Sequence, residues 1–228
     1  MKIGGLQRIS LIDYPKELSA IIFTKGCNFR CPYCHNPELV VGSANIINTD
    51  IVLDFLKNRV GKLSAVSITG GEPTLHSDLP EFIKQIKSME YKIKLDTNGT
   101  NPGMLKQIIN DKIVDYVAMD VKAPLDKYST VVGVEVDIAN IVESINIIKE
   151  SDIDYEYRTT VVESCLVKED IISIAEMIKG AKIYYLQRFI PSKTLDSSFL
   201  NKKAYNDEDL LQLAKVIAPH YVQSCYVR

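Results

Sequence analysis

SAIIFTKGCNFRCPYCHN, residues 19–36, joins a short apolar run to a cluster of three cysteines. Ser19–Thr24 has the length and the β-branched, aliphatic composition of a buried strand. Cys27, Cys31 and Cys34 follow it directly, with C-x3-C-x2-C spacing. Three thiols on one loop after a strand predict a metal-binding or catalytic centre at the carboxyl end of that strand.

The rest of the chain alternates strand-like apolar runs with helical patterns. Five more core strands are predicted at 64–69, 91–97, 116–121, 155–162 and 182–189, and an edge strand at 221–227. Helices are predicted at 49–60, 77–89, from 101 onward, and at 137–150, 168–179 and 207–218. Repeated βα alternation implies an α/β fold with a parallel sheet and helical crossovers. Periodicity leaves open whether that sheet is open, closed into a barrel, or a partial barrel.

We predict a single domain over residues 1–228. It comprises an N-terminal segment (1–18), a core of six βα units (19–190), and a C-terminal loop, helix and edge strand (191–228). The least regular stretch, Pro191–Asn206, is predicted to be a loop.

Composition excludes several classes of protein. The 228 residues are 46% hydrophobic and 25% charged, as in ordinary globular proteins. The net charge of −2 lacks the basic excess of a general nucleic-acid binder. No apolar run is long enough for a membrane span or a signal peptide, so a cytoplasmic location is expected. Five cysteines, an odd number, argue against a disulfide framework.

The spacing of the cysteine cluster alone leaves three interpretations. Thiolates are soft ligands that suit both iron–sulfur clusters and zinc. A structural zinc site needs four ligands, so His35 or a distant cysteine would have to be the fourth. A [4Fe–4S] cluster held by Cys27, Cys31 and Cys34 would instead leave one iron open for another ligand. The third interpretation is that the cysteines are structural and buried.

Further polar motifs lie where the later strands end. Thr69-Gly70-Gly71-Glu72-Pro73 follows the second predicted strand, Asp96 and Thr97 end the third, and Asp120 and Lys122 end the fourth. Side chains at the carboxyl ends of successive parallel strands converge on one face. Taken singly, these residues also fit turns, helix caps or a surface ion pair, and Arg158 on the fifth strand also fits an outward-facing position.

Together these motifs resemble the radical S-adenosylmethionine (SAM) superfamily, whose signature is C-x3-C-x2-C with an aromatic residue before the last cysteine, here Tyr33. The resemblance implies a partial TIM-type (β/α)6 barrel and one [4Fe–4S] cluster on the three cysteines, with SAM chelating the open iron. It also implies that the GGEP motif receives the SAM amino group. SAM-binding positions implied by the match are Tyr33, His35, Gly70, Gly71, Glu72, Asp96, Thr97, Asp120, Lys122 and Arg158.

The match extends to pyruvate formate-lyase activating enzyme, which has similar D-T-N-G, D-L-K and R-Y-V-V-V elements. There the acids help to bind a monovalent cation near the SAM carboxylate, which implies such a cation near Asp96 and Asp120. The sixth strand departs from the pattern, because Gln187-Arg188-Phe189 stands where that enzyme has a SAM-contacting histidine. A SAM contact from this strand is therefore left open.

The subfamily is indicated by Gly4–Pro15 and by Cys34-His35-Asn36, which resemble glycyl-radical-enzyme activating enzymes, most closely the anaerobic ribonucleoside-triphosphate reductase activating proteins. Residues 35–69 contain no cysteine, so a single cluster is expected. The resemblance implies reductive cleavage of SAM to a 5′-deoxyadenosyl radical, a glycyl radical formed on a partner enzyme, and flavodoxin or ferredoxin as electron donor. The alternatives are a radical SAM enzyme acting on a small molecule or on RNA, and a zinc-binding interaction module.

Overall fold

The computed structural model describes residues 1–228, and its centre is one eight-stranded sheet with the strands in chain order. Strands β2 to β8 are parallel, and β1 pairs antiparallel with β2. No pairing joins β8 to β1, so the sheet is an open, partial barrel rather than a closed one. The predicted parallel α/β fold is confirmed. The strands are β1 (Ile3–Ser10), β2 (Ser19–Thr24), β3 (Ala65–Gly70), β4 (Lys92–Thr97), β5 (Tyr116–Asp120), β6 (Asp154–Val161), β7 (Ile183–Arg188) and β8 (Ser224–Val227).

Helices cross between the parallel strands, and four of the eight begin where a polar side chain caps them. Asn101 accepts a hydrogen bond from the amide of Met104, at 3.1 Å, and Asp137 accepts one from Ala139, at 3.0 Å. Such caps satisfy amides that the first helical turn leaves unpaired. The helices are α1 (Pro37–Val40), α2 (Thr49–Lys57), α3 (Leu79–Lys87), α4 (Pro102–Asn110), α5 (Tyr128–Val132), α6 (Ile138–Glu150), α7 (Lys168–Met177) and α8 (Asp207–His220).

Three elements were missed by the sequence patterns. Strand β1 lies in the segment 1–18, where Gly4 and Gly5 weaken the strand signal. Helices α1 and α5 have four and five residues, too few to show a helical period. The predicted loop Pro191–Asn206 contains a short 3-10 helix, Ser197–Asn201.

The two faces of the sheet carry different side chains. In β4, Ile93 and Leu95 belong to the main apolar core, which lies between the sheet and the helices. Side chains alternate along a strand, so Lys94 and Asp96 point to the opposite, inner face. The same alternation places Asp120 and Arg158 on this inner face of β5 and β6. The curved sheet therefore encloses charged groups near the carboxyl ends of its central strands.

No helix of the structure has both the length and the apolar character that crossing a membrane requires.

Candidate active site

One cavity lies at the carboxyl ends of the parallel strands, beside the loop that carries the three cysteines (residues 25–36, the cysteine loop). All of the site residues predicted from the sequence line this cavity except Arg158, which lies behind its wall. The lining residues are Cys27, Phe29, Cys31, Tyr33, Cys34, His35, Asn36, Val40, Thr69, Gly70, Gly71, Glu72, Asp96, Thr97, Asn98, Asp120, Lys122 and Thr160. The convergence expected for a parallel sheet therefore brings the motifs of β2 to β5 together.

The three clustered cysteines differ from the other two in their surroundings. Cys31 is buried and Cys27 and Cys34 are half-buried, and all three face the cavity. Burial raises the pKa of Cys27 to about 11 and that of Cys31 to about 12, so without a metal these thiols keep their protons at neutral pH. Cys165 and Cys225 are half-buried and lie outside the cavity.

The donor set of the cysteine loop fits an iron–sulfur cluster. The backbone amide of Phe29 donates to the Sγ of Cys27 at 3.4 Å, a bond that stabilises a thiolate ligand. No three His, Cys, Asp or Glu side chains converge where one metal ion would bind. Three thiols spaced around one cavity suit a multi-atom cluster, whereas structural zinc needs four ligands around a point. The residues present therefore fit a three-cysteine cluster.

His35 packs against the residues that follow β7, and it does not converge with the three cysteines on one metal position. Its Nε2 lies 2.9 Å from the carbonyl oxygen of Ile190, and its ring stacks on Phe189 with the ring centres 5.6 Å apart. The end of β7 thus contacts the cysteine loop through Phe189 and Ile190. Gln187, whose part in SAM binding the sequence left open, is not among the cavity-lining residues.

The glycines of the GGEP motif allow two loops to approach closely. A Cβ atom on Gly71 would lie 1.9 Å from the carbonyl oxygen of Gly26, the residue before Cys27. Gly70 has φ of +114°, a conformation that side chains disfavour. The amides of Gly71 and Glu72 donate to the carbonyl oxygens of Thr24 and Gly26. Glycine at these positions is therefore required to fix the GGEP segment against the start of the cysteine loop.

Glu72 joins the ends of β3 and β4. Its Oε1 accepts hydrogen bonds from the amide and hydroxyl of Thr74, at 3.0 and 2.6 Å, and from the Thr97 hydroxyl, at 2.8 Å. Its Oε2 accepts one from the amide of Asn98, at 2.6 Å. Burial raises the pKa of Glu72, although these hydrogen bonds oppose the rise. The carboxylate is thus a buried clamp that sets the position of one cavity wall.

Asn98 extends this clamp to the cysteine loop, and the sequence analysis did not single it out. Its side-chain amide donates to the Oδ1 of Asn28 at 2.9 Å, and Asn28 lies between the first two cysteines. Arg30, also missed, donates to the carbonyl oxygens of Cys27 and Phe29 at 2.7 and 2.8 Å. The Asn98–Asn28 contact has no signal in residue spacing, since only the fold brings these two residues together. Arg30 contacts carbonyl groups of its own loop, and the conformation of that loop is not given by spacing.

At the cavity wall, two carboxylates alternate with three cations, and Asp96, Asp120 and Lys122 of this group line the cavity. Asp96 pairs with Lys94 and with Arg158, the latter at 3.1 Å. Asp120 pairs with Arg158 at 2.9 Å and with Lys122 at 3.0 Å. Burial alone would raise the pKa of Asp120, but attraction to Arg158 and Lys122 outweighs it and lowers the pKa to about 2. At Asp96 burial also raises the pKa, but attraction to Arg158 and Lys94 outweighs it, and the pKa is lowered.

The segment Pro191–Asn206 packs against the cysteine loop. The amide of Asp196 donates to the carbonyl oxygen of Pro32 at 2.9 Å, and Lys193 pairs with Glu38 at 2.6 Å. The rings of Tyr33 and Phe199 lie 6.4 Å apart, measured between their centres. This segment therefore forms part of the wall around the cysteine loop instead of a free surface loop.

Comparison with known proteins identifies the family. The family model described as the radical SAM superfamily matches residues 21–179, which include the cysteine loop and β2 to β6. The chain belongs to the radical SAM superfamily. This confirms the family and the enzyme class predicted from the motifs, and membership implies a [4Fe–4S] cluster and SAM as cofactors. The interpretation as a zinc-binding interaction module is not supported.

Relatives of this radical SAM enzyme match along most of its length. A Methanocaldococcus jannaschii protein, whose name assigns it to the glycyl-radical enzyme activating enzymes, is 36% identical over 234 residues, covering 99% of this chain and 95% of the relative. A pyruvate formate-lyase-activating enzyme of Clostridium pasteurianum is 27% identical over 207 residues, covering 85% of this chain and 83% of the relative.

A solved structure shares the fold. Streptococcus suis SuiB bound to S-adenosylmethionine aligns with a TM-score of 0.67 at 16% identity. The alignment covers 89% of this chain and 48% of SuiB. At this identity the likeness describes the fold of the radical SAM enzyme and nothing finer.

Proposed function

We propose that this radical SAM enzyme activates a glycyl-radical enzyme, and that its partner is an anaerobic ribonucleotide reductase. The observation that carries the proposal is the convergence of the three-cysteine loop and the strand-end polar groups on one cavity. The names of the relatives that match along nearly the whole chain support the activating role. The Gly4–Pro15 and Cys34-His35-Asn36 segments support the choice of partner.

In this proposal Cys27, Cys31 and Cys34 hold one [4Fe–4S] cluster. Bound there, the cluster would supply the one electron, received from a flavodoxin or ferredoxin, that cleaves SAM into methionine and a 5′-deoxyadenosyl radical. The protein keeps the thiolates in place: the Phe29 amide donates to Cys27, and Arg30 holds two carbonyl groups of the loop.

The other cavity residues are proposed to bind SAM. Gly70, Gly71 and Glu72 form the wall for its amino group, with the position of Glu72 held by its four internal hydrogen bonds. Lys122 faces the cavity with a positive charge suited to the SAM carboxylate, and Arg158 supports it through Asp120. Tyr33, His35, Asp96, Thr97 and Asp120 complete the proposed contacts.

A protein substrate suits the accessibility of the site. Cys27 and Cys34 are only half-buried, so the cavity is reached from solvent. A primary carbon radical is too reactive to meet solvent, and the active site must exclude water during the reaction. We infer that a glycine-bearing loop of the partner enters the cavity and closes it, with the radical taking a hydrogen atom from the glycine Cα. The segment Pro191–Asn206 is the proposed lip that contacts this loop.

The test is anaerobic incubation of the cluster-loaded enzyme with SAM, a reductant and an anaerobic ribonucleotide reductase, followed by electron paramagnetic resonance. The expected result is a glycyl-radical signal on the reductase together with stoichiometric 5′-deoxyadenosine. Deoxyadenosine without a radical on any glycyl-radical protein would refute the activating role and would favour a small-molecule or RNA substrate.

Cysteine variants test the metal centre separately. Cys31→Ala is expected to lose most of the iron and sulfide that the wild type retains after reconstitution, and all SAM cleavage, because three thiolates are needed to hold the cluster. Cys165→Ala is the matched control, since Cys165 lies outside the cavity and should leave the iron content unchanged. Equal iron content in the two variants would contradict the assigned ligand set.

A further inference from the structure

Each oxygen of the two carboxylates at the cavity wall, Asp96 and Asp120, contacts a cation. In Asp96, Oδ1 contacts the Lys94 ammonium and Oδ2 contacts the Arg158 guanidinium. In Asp120, Oδ1 contacts Arg158 and Oδ2 contacts Lys122. A monovalent cation near these acids, which the resemblance implied, would have to compete with a fixed positive charge at every oxygen. The residues present therefore do not fit such a cation.

Lys94 is the member of this group that the sequence motifs did not indicate. Its side chain is only 2% exposed, and lysine is almost never fully buried unless it is paired. It lies on the inner face of β4, two residues before Asp96, and its ammonium contacts Asp96 alone among the acids. Removal of an ammonium group from water is unfavourable without a partner, so the buried position of Lys94 depends on its pairing with Asp96.

The charges of the group do not cancel. Lys94, Lys122 and Arg158 contribute three positive charges, and Asp96 and Asp120 contribute two negative charges, which leaves one positive charge in excess. Lys122 is the one of these three cations that lines the cavity. One carboxylate entering the cavity beside Lys122 would neutralise the group, and the amino-acid end of SAM carries such a carboxylate.

We propose that Lys94 is a positioning residue that supplies, as part of the protein, the positive charge that a bound monovalent cation would otherwise supply. Because Lys94 neutralises Asp96, the charge of Arg158 is left to neutralise Asp120. The charge of Lys122 is then in excess and can attract the SAM carboxylate. This inference rests on the proposed binding of SAM in the cavity. It predicts that the enzyme binds SAM equally well in the presence and absence of Na⁺ and K⁺.

The test measures the dissociation constant of SAM for the anaerobic, cluster-loaded protein by equilibrium dialysis. Three salts are compared at one ionic strength: KCl, NaCl and tetramethylammonium chloride, whose cation is too bulky to sit between two carboxylates. The wild type is expected to show the same constant in all three salts. An affinity that falls about tenfold or more in tetramethylammonium, about 1.4 kcal/mol, would overturn the proposal without the use of any variant.

Variants at Lys94 separate charge from packing. Lys94→Met keeps the length of the side chain and removes the charge, so SAM should bind about tenfold more weakly in tetramethylammonium and recover in K⁺ or Na⁺. Lys94→Arg retains the charge and should resemble the wild type. Lys92→Met is the matched control on the same strand, since Lys92 is exposed and pairs with Glu17 far from the cavity.

The remaining outcomes are also decisive. Weak binding by Lys94→Met that neither K⁺ nor Na⁺ improves would show that Lys94 acts by packing, and unchanged binding would show that its charge is not used. Either result overturns the proposal. Absence of SAM binding by the wild type in every salt would instead show that the proposed function itself is wrong. The unfolding midpoint of each variant, measured without cluster in the same salts, checks that the variants fold.

Discussion

Replacement of Glu72 by glutamine removes one charge and exchanges one carboxylate oxygen for an amide nitrogen at a buried position. Glu72 is 1% exposed, and its two oxygens accept four hydrogen bonds from three residues. If the glutamine carbonyl takes the place of Oε1, its NH₂ group faces the amide of Asn98, and two donors meet. If the side chain is flipped, three donors lose their acceptor instead. The first arrangement is therefore preferred and sets the lower limit of the loss.

The magnitude follows from that arrangement. A hydrogen bond to a charged group contributes about 1.5–3 kcal/mol, and a buried donor left without an acceptor costs about 1–3 kcal/mol. Loss of the charge recovers part of the burial cost, which is the term that raises the pKa of Glu72. We expect the free energy of unfolding to fall by about 2 kcal/mol, which for a chain of this size lowers the melting temperature by about 4–8 °C.

The assay is urea unfolding of the cluster-free protein, followed by circular dichroism. Glu72→Gln should lower the urea midpoint with an unchanged slope, since the surface exposed on unfolding is the same. Glu81→Gln is the control: its side chain is 73% exposed and lies 3.8 Å from Lys84, so its loss should cost less than about 0.5 kcal/mol. Equal midpoints for the two variants would refute the assignment of Glu72 as a buried clamp.

Two further predictions concern the same wall of the cavity. Gly71→Ala should destabilise the protein by about 1–3 kcal/mol and lower its iron content, because the new Cβ would meet the carbonyl oxygen of Gly26; Gly103→Ala, with its nearest atom at 3.8 Å, should be neutral or slightly stabilising. Asp120 has a pKa of about 2 when folded, below its unfolded value, so its stabilising contribution is complete above about pH 5 and is lost as the pH falls towards 2. The stability difference between wild type and Asp120→Asn should therefore shrink by about 2 kcal/mol between pH 6 and pH 2 in urea unfolding; a constant difference would contradict this.

The elements with long or regular patterns were predicted well. The helix predicted at 137–150 is found as α6 (Ile138–Glu150), because its apolar residues at helical spacing and the cap by Asp137 favour the same ends. Boundaries were less accurate for α2: a helix over residues 49–60 was predicted, and the observed helix is capped by Asn48 and ends at Lys57. Strand β1 was missed because its pairing with β2, and not its own composition, makes it a strand.

The candidate site divides in the same way. Cys27, Cys31, Gly71 and Asp96 were found because their positions relative to the strand ends are a matter of chain spacing, and parallel strands bring their carboxyl ends to one edge. Lys94, Asn98 and Arg30 were not found. Lys94 and Arg30 contact residues close in the chain, but their contacts depend on the strand face and the loop conformation that the fold sets. Asn98 acts through a partner that the chain alone does not identify. For Asn98 that partner is Asn28, seventy residues earlier.

Periodicity and motif spacing along the chain predict the parallel α/β fold, the radical SAM family and twelve of the eighteen residues that line the cavity. The open edge between β8 and β1, the buried position of Glu72 and the pairing of Asp96 and Asp120 with cations are seen only in the folded chain. The bonds of Glu72 to the end of β4 and the pairing of Arg158 with both acids depend on distances between neighbouring strands, which spacing along the chain does not give. The spacing of the three cysteines predicts a metal centre, but the ion pairs beside it are formed by residues of β4, β5 and β6 together.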